Sequence, residues 1–211
     1  ILTHIRHSEK VFTMNRLLLI LILTFSFQSL TKANDIRDIQ IEGISVGDNL
    51  LNHLDVLQKT EIQIKEKKLV YYPKSKRLAI SNYYDGNFEI YESVQFTLDP
   101  NNFKIFRISG KIYNLNKDEC INKQKAIITE LEKQFPNTIK DIDDFTKHPV
   151  DKSGKSLANG IYLDFASGDT VSAECYFWSD TFKKEKNYKD HISVSIETKE
   201  SRDFIDNEAY K

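Results

Sequence analysis

Hydrophobic and polar residues alternate along much of the chain, which is the pattern of strands that bury one face. The runs 77–83, 88–98 and 103–115 show it, and joints rich in Asp, Asn, Gly and Pro separate them. Such joints favour tight turns. The three runs therefore predict an antiparallel meander.

A segment before these runs sets how the fold begins. It reads Ile39-Gln-Ile-Glu-Gly-Ile-Ser-Val-Gly-Asp-Asn-Leu-Leu51 and predicts a short strand followed by a turn. Gly43 and Gly47 tolerate the left-handed backbone that a tight turn requires. Asp48 is a residue type that caps helices, so the sequence predicts a helix over 48–57. Thr60 and Gln63 have capping-box spacing and predict a second helix over 61–67.

The second half repeats this order of elements. A helix is predicted over 119–135, with Pro136 ending it, and strands over 160–166, 170–179 and 191–198. Between them, the polar segment 137–158 carries a short helical turn around 139–145, and the charged tail from residue 200 is expected to fray. The fold class is α+β, with helices packed on an antiparallel sheet. The order is compatible with a tandem α-β-β-β repeat with halves 34–115 and 116–211 inside a single domain, 34–211.

The N-terminal region has the order of a secretory signal peptide. Residues 14–33 comprise Met14, a basic start, an apolar run over 17–27 and a polar end, and Thr31 and Ala33 place cleavage after Ala33. The apolar run has 11 residues, whereas a spanning helix needs about 20. Retention as an anchor is the alternative. Residues 1–13 are interpreted as a leader or an over-extended gene prediction.

Export changes the interpretation of Cys120 and Cys175. In an oxidising compartment an isolated pair of cysteines favours a disulfide. Cys120 falls on the apolar face of the predicted helix 119–135, and Cys175 on the apolar side of the strand 170–179. The sequence therefore predicts a Cys120–Cys175 disulfide, with unpaired buried thiols as the alternative.

Charge narrows the class of partner. The chain has a net charge of −1, and residues 1–33 carry four basic residues and one acidic residue, which leaves 26 basic and 30 acidic residues, a net charge of −4, in the remainder. Nucleic-acid binding normally depends on a basic face. The partner is therefore expected to be a protein or an envelope component and not a nucleic acid, with no transmembrane segment after signal cleavage.

Two stretches resemble known proteins. The segment 35–51, and Ser109-Gly-Lys-Ile-Tyr113 followed by Glu119-Cys120, resemble uncharacterised exported proteins of Pelagibacter-type marine alphaproteobacteria. The resemblance spans most of the chain from residue 34 and implies a periplasmic setting, without an activity. The turn Gly43-Ile-Ser-Val-Gly-Asp48 is similar to the turn before a helix in the SmpA/OmlA lipoproteins and the β-lactamase-inhibitor-like modules. Residue 34 is Asn where a lipoprotein has Cys.

Candidate catalytic motifs are weak. Gly43-Ile-Ser-Val-Gly47 matches the G-x-S-x-G of a nucleophile elbow, but the alternating α/β pattern of that fold is missing. The histidines His53, His148 and His191 lack metal-ligand spacing and are interpreted as surface or turn residues. The acidic run 141–144 lacks the Gly and Glu positions of a calcium loop. No metal site and no cofactor are expected.

A basic, aromatic stretch supplies the candidate binding surface. Residues 65–84 combine basic residues with four tyrosines, which together can contact an anionic polymer, a membrane surface or a glycan. Packing of the tyrosines on a sheet edge is the alternative. The candidate residues are Tyr71, Tyr72, Lys74, Arg77, Tyr83, Tyr84 and, beside the Cys175 strand, Trp178. We expect an exported, non-catalytic binding or envelope-interaction module. The alternatives are a small secreted hydrolase that uses Ser45 and an inhibitor-type partner-binding protein.

Overall fold

A computed structural model describes residues 35–211 and contains an eight-stranded antiparallel sheet. In chain order its strands are β1 (Val70–Tyr71), β2 (Ala79–Tyr83), β3 (Ser93–Leu98), β4 (Ile105–Tyr113), β5 (Ile139–Lys147), β6 (Leu157–Asp164), β7 (Thr170–Phe177) and β8 (His191–Glu197). The spatial order is β1-β2-β3-β4-β8-β7-β6-β5. Two meanders thus meet through their last strands, β4 and β8. The predicted α+β class is confirmed, and the tandem repeat stays a prediction.

One face of the sheet carries the main hydrophobic core. The long helix α3 (Lys117–Gln134) lies on it and makes most of its contacts with β7. Asn116 and Glu119 form a capping box at its start, which places the helix two residues earlier than predicted. Phe96, Ile108 and Ile196 are fully buried beneath these elements.

The predicted disulfide is confirmed, since the Cys120 and Cys175 sulfurs lie 2.02 Å apart. Cys120 is in the first turns of α3 and Cys175 is near the end of β7. Both residues are fully buried in the main core. The bond therefore fastens α3 to the sheet from the core side.

The N-terminal segment is more irregular than predicted. A 3₁₀ turn (Leu50–Asn52) and a short helix α1 (Leu54–Leu57) replace the predicted helix over 48–57. Asn49, not Asp48, caps the 3₁₀ turn by accepting a hydrogen bond from the Leu51 N–H. The Asp48 carboxylate is instead engaged by the Ser45 N–H, so it is turned away from the helix start. The capping box of helix α2 (Glu61–Lys65) is confirmed.

Residues 139–145 form part of β5 and not a helical turn. They pair with β6, with Ile142 opposite Ile161. Backbone pairing with a neighbouring strand outweighs local helix preference here, as is common for short polar segments. The outer edge of β5 is the edge of the sheet, and most of its residues are exposed.

The C-terminal tail is folded and does not fray. It forms α5 (Lys199–Phe204) and one turn of π-helix (Ile205–Ala209) on the sheet face opposite α3. Phe204 is fully buried there in a second, smaller core with Tyr72 and Phe106. The sequence pattern did not indicate this contact, because charged residues surround Phe204 in the tail.

In residues 35–211, no helix combines the length and the apolar character that crossing a membrane requires. The predicted signal peptide over 14–33 and the interpretation of 1–13 lie outside the described residues. Residues 35–211 fall within one compact unit.

Candidate functional site on the polar sheet face

The face of the sheet opposite α3 is polar at its centre. Alternation sends every second residue of β4, β8 and β7 to this side, and the register aligns them in rows across the three strands. We call this surface the central polar face. It comprises Arg107, Ser109, Lys111, Tyr113, His191, Ser193, Ser195, Glu197, Thr170, Ser172, Glu174 and Tyr176.

Short hydroxyl side chains form its floor. Ser109 and Ser195 lie opposite each other on β4 and β8, and their hydroxyl oxygens are 2.8 Å apart. Both are almost fully buried, as are Ser193 and Ser172. Larger side chains around these serines therefore stand above a shallow floor.

Arg107 binds this floor and two carboxylates. Its Nε and one terminal nitrogen donate to Ser109 and Ser195 over 3.3 and 3.2 Å. The carboxylates of Glu197 and Glu174 lie 3.7 and 3.9 Å away. Burial alone would lower the pKa of Arg107, but these two carboxylates outweigh it and raise that pKa. The guanidinium is therefore a fixed charge in the centre of the sheet.

The carboxylate of Glu174 accepts hydrogen bonds from three neutral hydroxyl groups. Tyr176 and Tyr162 donate their hydroxyls to one carboxylate oxygen over 2.7 and 3.3 Å, and Ser172 donates to the other over 3.1 Å. Burial, followed by the Glu174 charge, raises the pKa of Tyr176 well above its usual value. Both tyrosines therefore stay protonated and hold Glu174 in place at neutral pH.

Lys111 is the exception on the central polar face. It lies half-buried on β4 between Ser93 of β3 and Ser193 of β8. Among the described residues, its ammonium forms no ion pair and no hydrogen bond. Burial, and then repulsion by Arg107, lower the pKa of Lys111, while Glu174 offsets this in part.

An aromatic cluster closes one end of the face. Tyr176 stacks on His191 with ring centroids 4.8 Å apart, and Trp178 lies 6.1 Å from Tyr176 in a nearly parallel orientation. Further rings surround Trp178, namely those of His148, Phe182 and Tyr188. Tyr188 is 41% exposed, and Trp178 is partly exposed, so this end of the face presents aromatic surface to solvent.

His191 is buried within this cluster, contrary to the prediction of a surface or turn histidine. Its Nδ1–H donates to the Lys189 carbonyl over 2.8 Å. Burial lowers the pKa of His191 to about 4. The ring is therefore neutral at pH 7, and its Nε2 carries a lone pair. The strand start was placed correctly, but stacking by Tyr176 from β7 could not be seen in the local sequence.

A buried carboxylate fixes the loop beside the cluster. Asp151 accepts hydrogen bonds from the hydroxyls of Ser156 and Ser179 over 2.6 and 2.9 Å. These bonds, with those from Ser153, keep the pKa of Asp151 well below its usual range although burial opposes the shift. Ser179 also caps helix α4 (Asp180–Lys186), so Asp151 ties the β5–β6 loop to that helix.

The predicted tyrosine-rich surface is not one surface. Tyr71 and Tyr84 are 44% and 67% exposed, whereas Tyr72 and Tyr83 are buried. Tyr72 packs in the second core against Phe204, with ring centroids 5.1 Å apart. Tyr83 packs in the main core. Two of the four tyrosines are therefore core residues, because consecutive tyrosines on a strand point to opposite faces.

The basic members of that surface are also divided. Lys74 is exposed. Arg77 forms salt bridges of 3.0 Å with both Glu200 and Glu208. Its guanidinium lies 4.8 Å from the Phe204 ring centroid. Arg77 therefore holds the C-terminal segment in place. Trp178 is the one candidate that lies in the aromatic cluster at the end of the central polar face.

Ser45 lies in a structural turn. Its hydroxyl donates to the carbonyls of Arg37 and Ile39 over 3.1 and 3.3 Å. His53 Nε2 is 3.0 Å from the Asp48 carboxylate, which also accepts the Ser45 N–H. The histidine thus contacts the acid directly and not the serine hydroxyl, which is engaged by main-chain oxygens.

The two glycines of this turn have positive φ angles, 75° at Gly43 and 91° at Gly47. The turn assignment of both is therefore confirmed. Within residues 35–211, no group of three or more His, Cys, Asp or Glu side chains is placed to hold a metal ion.

Sequence reasoning missed Arg107, Lys111, Glu174 and Tyr162. The local signal existed, since Ser193, Ser195 and Glu197 alternate with isoleucine and valine. The sequence could not show that β4 and β8 are neighbours, because their residues are at least 78 positions apart and meet only in the folded sheet. Comparisons with protein families, with curated proteins and with solved structures gave no match for this chain.

Proposed function

We propose that this protein is an exported, non-catalytic binding protein whose contact surface is the central polar face and its aromatic cluster. The observation that supports this is that helices cover the face at its ends only. The C-terminal segment packs near Phe106, and α4 packs beside Trp178. Between them, Lys111, Glu174 and Tyr176 are partly exposed, and the serines beneath them are almost fully buried.

The composition of this surface suits a protein partner. Partly exposed tryptophan and tyrosine rings, such as those of Trp178 and Tyr176, are typical of interface centres, where rigid rings supply contact area. The charged groups other than Lys111 are already fixed by hydrogen bonds, as with Glu174 and its tyrosines. Binding would therefore cost little reorganisation of this surface.

The arrangement of side chains supports a binding function better than it supports the hydrolase alternative. A nucleophile requires a base within hydrogen-bond reach, and the Ser45 hydroxyl contacts main-chain carbonyls. By contrast, the network of Arg107, Glu174 and Tyr176 holds a flat arrangement of donors and acceptors across three strands. Such an arrangement favours recognition over turnover.

The test is capture of a partner from envelope extract by the immobilised protein, followed by binding measurements with face variants. Ser193→Arg fills the floor, and Trp178→Ala removes the aromatic surface. Lys125→Glu on α3 is the control on the opposite side. We expect the retained component to bind the wild type and the control but neither face variant. Binding that is indifferent to both face variants would refute the proposed surface.

Export is part of the proposal and is tested separately. A reporter that is active only after translocation should become active when fused to residues 14–33. The exported protein should begin at Asn34. Retention of Met14 in the exported protein would favour the anchor alternative.

A further inference from the structure

Lys111 lies among carboxylates that are already engaged. Glu174 accepts three hydroxyl groups, and Glu197 accepts the Ser201 hydroxyl over 2.8 Å beside Arg107. Glu92 accepts the Tyr113 N–H over 2.9 Å. Asp190 pairs with Lys183 over 2.7 Å. The fold therefore supplies counter-charges to its other neighbouring cations, but none in contact with this ammonium.

Burying part of a charge without a partner is unfavourable. The surroundings of Lys111 act in that direction, because burial and the nearby Arg107 both disfavour its charged form. The stability of the fold does not require a lysine at this position, because other polar residues also suit a solvent-facing strand position. A half-buried lysine without a counter-ion therefore points to an anion that is supplied from outside.

Short side chains flank Lys111 on both neighbouring strands. The residues opposite Lys111 on the two neighbouring strands are Ser93 and Ser193, both short and buried. The Ser93 hydroxyl contacts the Tyr113 hydroxyl over 2.7 Å. The Ser193 hydroxyl forms no hydrogen bond among the described residues and can donate to a ligand.

We propose that Lys111 and the Ser193 hydroxyl bind the carboxylate of an aspartate or glutamate side chain of the partner protein. This inference rests on the proposed function and names the chemistry of its central contact. The charge favours a carboxylate over a phosphate group. One free ammonium matches a single negative charge, whereas the nearby Glu174 carboxylate would repel a doubly charged group more strongly. The Arg107 fork, which suits phosphate, is already occupied.

The stability of a Lys111 variant tests the premise that Lys111 has no counter-ion within the fold. Lys111→Met keeps the length of the side chain and removes the charge. We expect the urea midpoint of unfolding to stay unchanged or to rise, as it does when a charge without a partner is replaced by an apolar group. A lower midpoint would show that Lys111 balances Glu174 within the fold and would overturn the proposal.

The binding test uses two capped heptapeptides that carry serine and tryptophan around a central glutamate or glutamine. Each is titrated to millimolar concentration into the isotope-labelled protein and followed by NMR. A charge-assisted hydrogen bond corresponds to roughly 10-fold tighter binding, so we expect the glutamate peptide to bind about 10-fold more tightly, with shifts at Ser193 and Trp178. Lys111→Met should abolish this difference. The control Lys125→Met, which removes an exposed lysine on α3, should preserve it.

The failures are distinguishable. Equal binding of the two peptides at the central polar face would overturn the carboxylate inference and leave the binding surface intact. Absence of shifts at this face with either peptide would also overturn the inference. The binding function itself fails only if a captured partner ignores Ser193→Arg and Trp178→Ala.

Discussion

Lowering the pH from 7 to 4 should destabilise the wild-type protein more than a variant in which His191 is replaced by asparagine. The imidazole is buried against Tyr176 and Trp178, and its folded-state pKa is about 4, compared with 6.5 for an unperturbed histidine. Between these two pH values the unfolded chain binds a proton that the folded chain does not. Stability therefore rises with pH in this window.

The size of the effect follows from that difference. One pKa unit corresponds to about 1.4 kcal/mol, so the contribution of His191 at pH 7 is about 3 kcal/mol larger than at pH 4. It is fully present above pH 6.5 and is lost as the pH falls through the folded-state pKa of about 4. Asparagine can still donate to the Lys189 carbonyl but does not titrate, which makes His191→Asn a matched variant.

Urea unfolding at several pH values measures the effect. The variant should be less stable than the wild type at pH 7, because it loses the stacked ring, and this deficit should shrink by about 3 kcal/mol by pH 4. His148 is present in both proteins, so its own titration cancels to first order. A deficit that stays constant from pH 7 to pH 4 would refute the reasoning. So would an NMR titration that places the His191 pKa near 6.5.

Three further changes probe the fold. Reducing the Cys120–Cys175 bond, which joins residues 55 positions apart, should lower the free energy of unfolding by about 4 kcal/mol in the chain-entropy treatment. Urea midpoints with and without reductant measure this loss, and equal midpoints would contradict it. Phe204→Ala should cost about 3–4 kcal/mol, as expected for a fully buried ring, whereas a frayed tail would give almost no change in thermal denaturation. Gly110→Ala should cost about 1–3 kcal/mol, because its Cβ would lie 2.5 Å from atoms of the Tyr91 ring; an unchanged midpoint would mean that the ring moves aside freely.

Elements with a strong local signal could be predicted from the sequence. The capping boxes at Thr60 and Asn116 mark helix starts, and the alternation of Ile192, Val194 and Ile196 marks β8. The disulfide followed from two cysteines on apolar faces of neighbouring elements. In each case the signal lies within a few residues or within one amphipathic pattern, although the disulfide itself joins residues 55 positions apart.

Elements decided by distant contacts could not be predicted. Residues 139–145 become a strand only because β6 is available to pair with them. The tail folds because Phe204 reaches Tyr72, 132 residues earlier in the chain. The candidate site suffers most from this limit. Its rows of side chains exist only once β4 and β8 are neighbours. The tyrosine-rich segment 65–84 instead indicated a different surface.

The position of the central polar face depends on the core behind it. Cys175 lies between Glu174 and Tyr176 on β7, so the disulfide to α3 fixes the backbone from which both face residues project. The side chain of buried Gln124 in α3 donates to the Ala173 carbonyl over 2.8 Å. This bond holds β7 two residues before Cys175. Because successive residues of a strand point to opposite faces, contacts on the core side set the geometry of the polar side. A flat surface with few covering contacts can thus keep Glu174 and Tyr176 in register with Arg107, provided that α3 stays attached to β7.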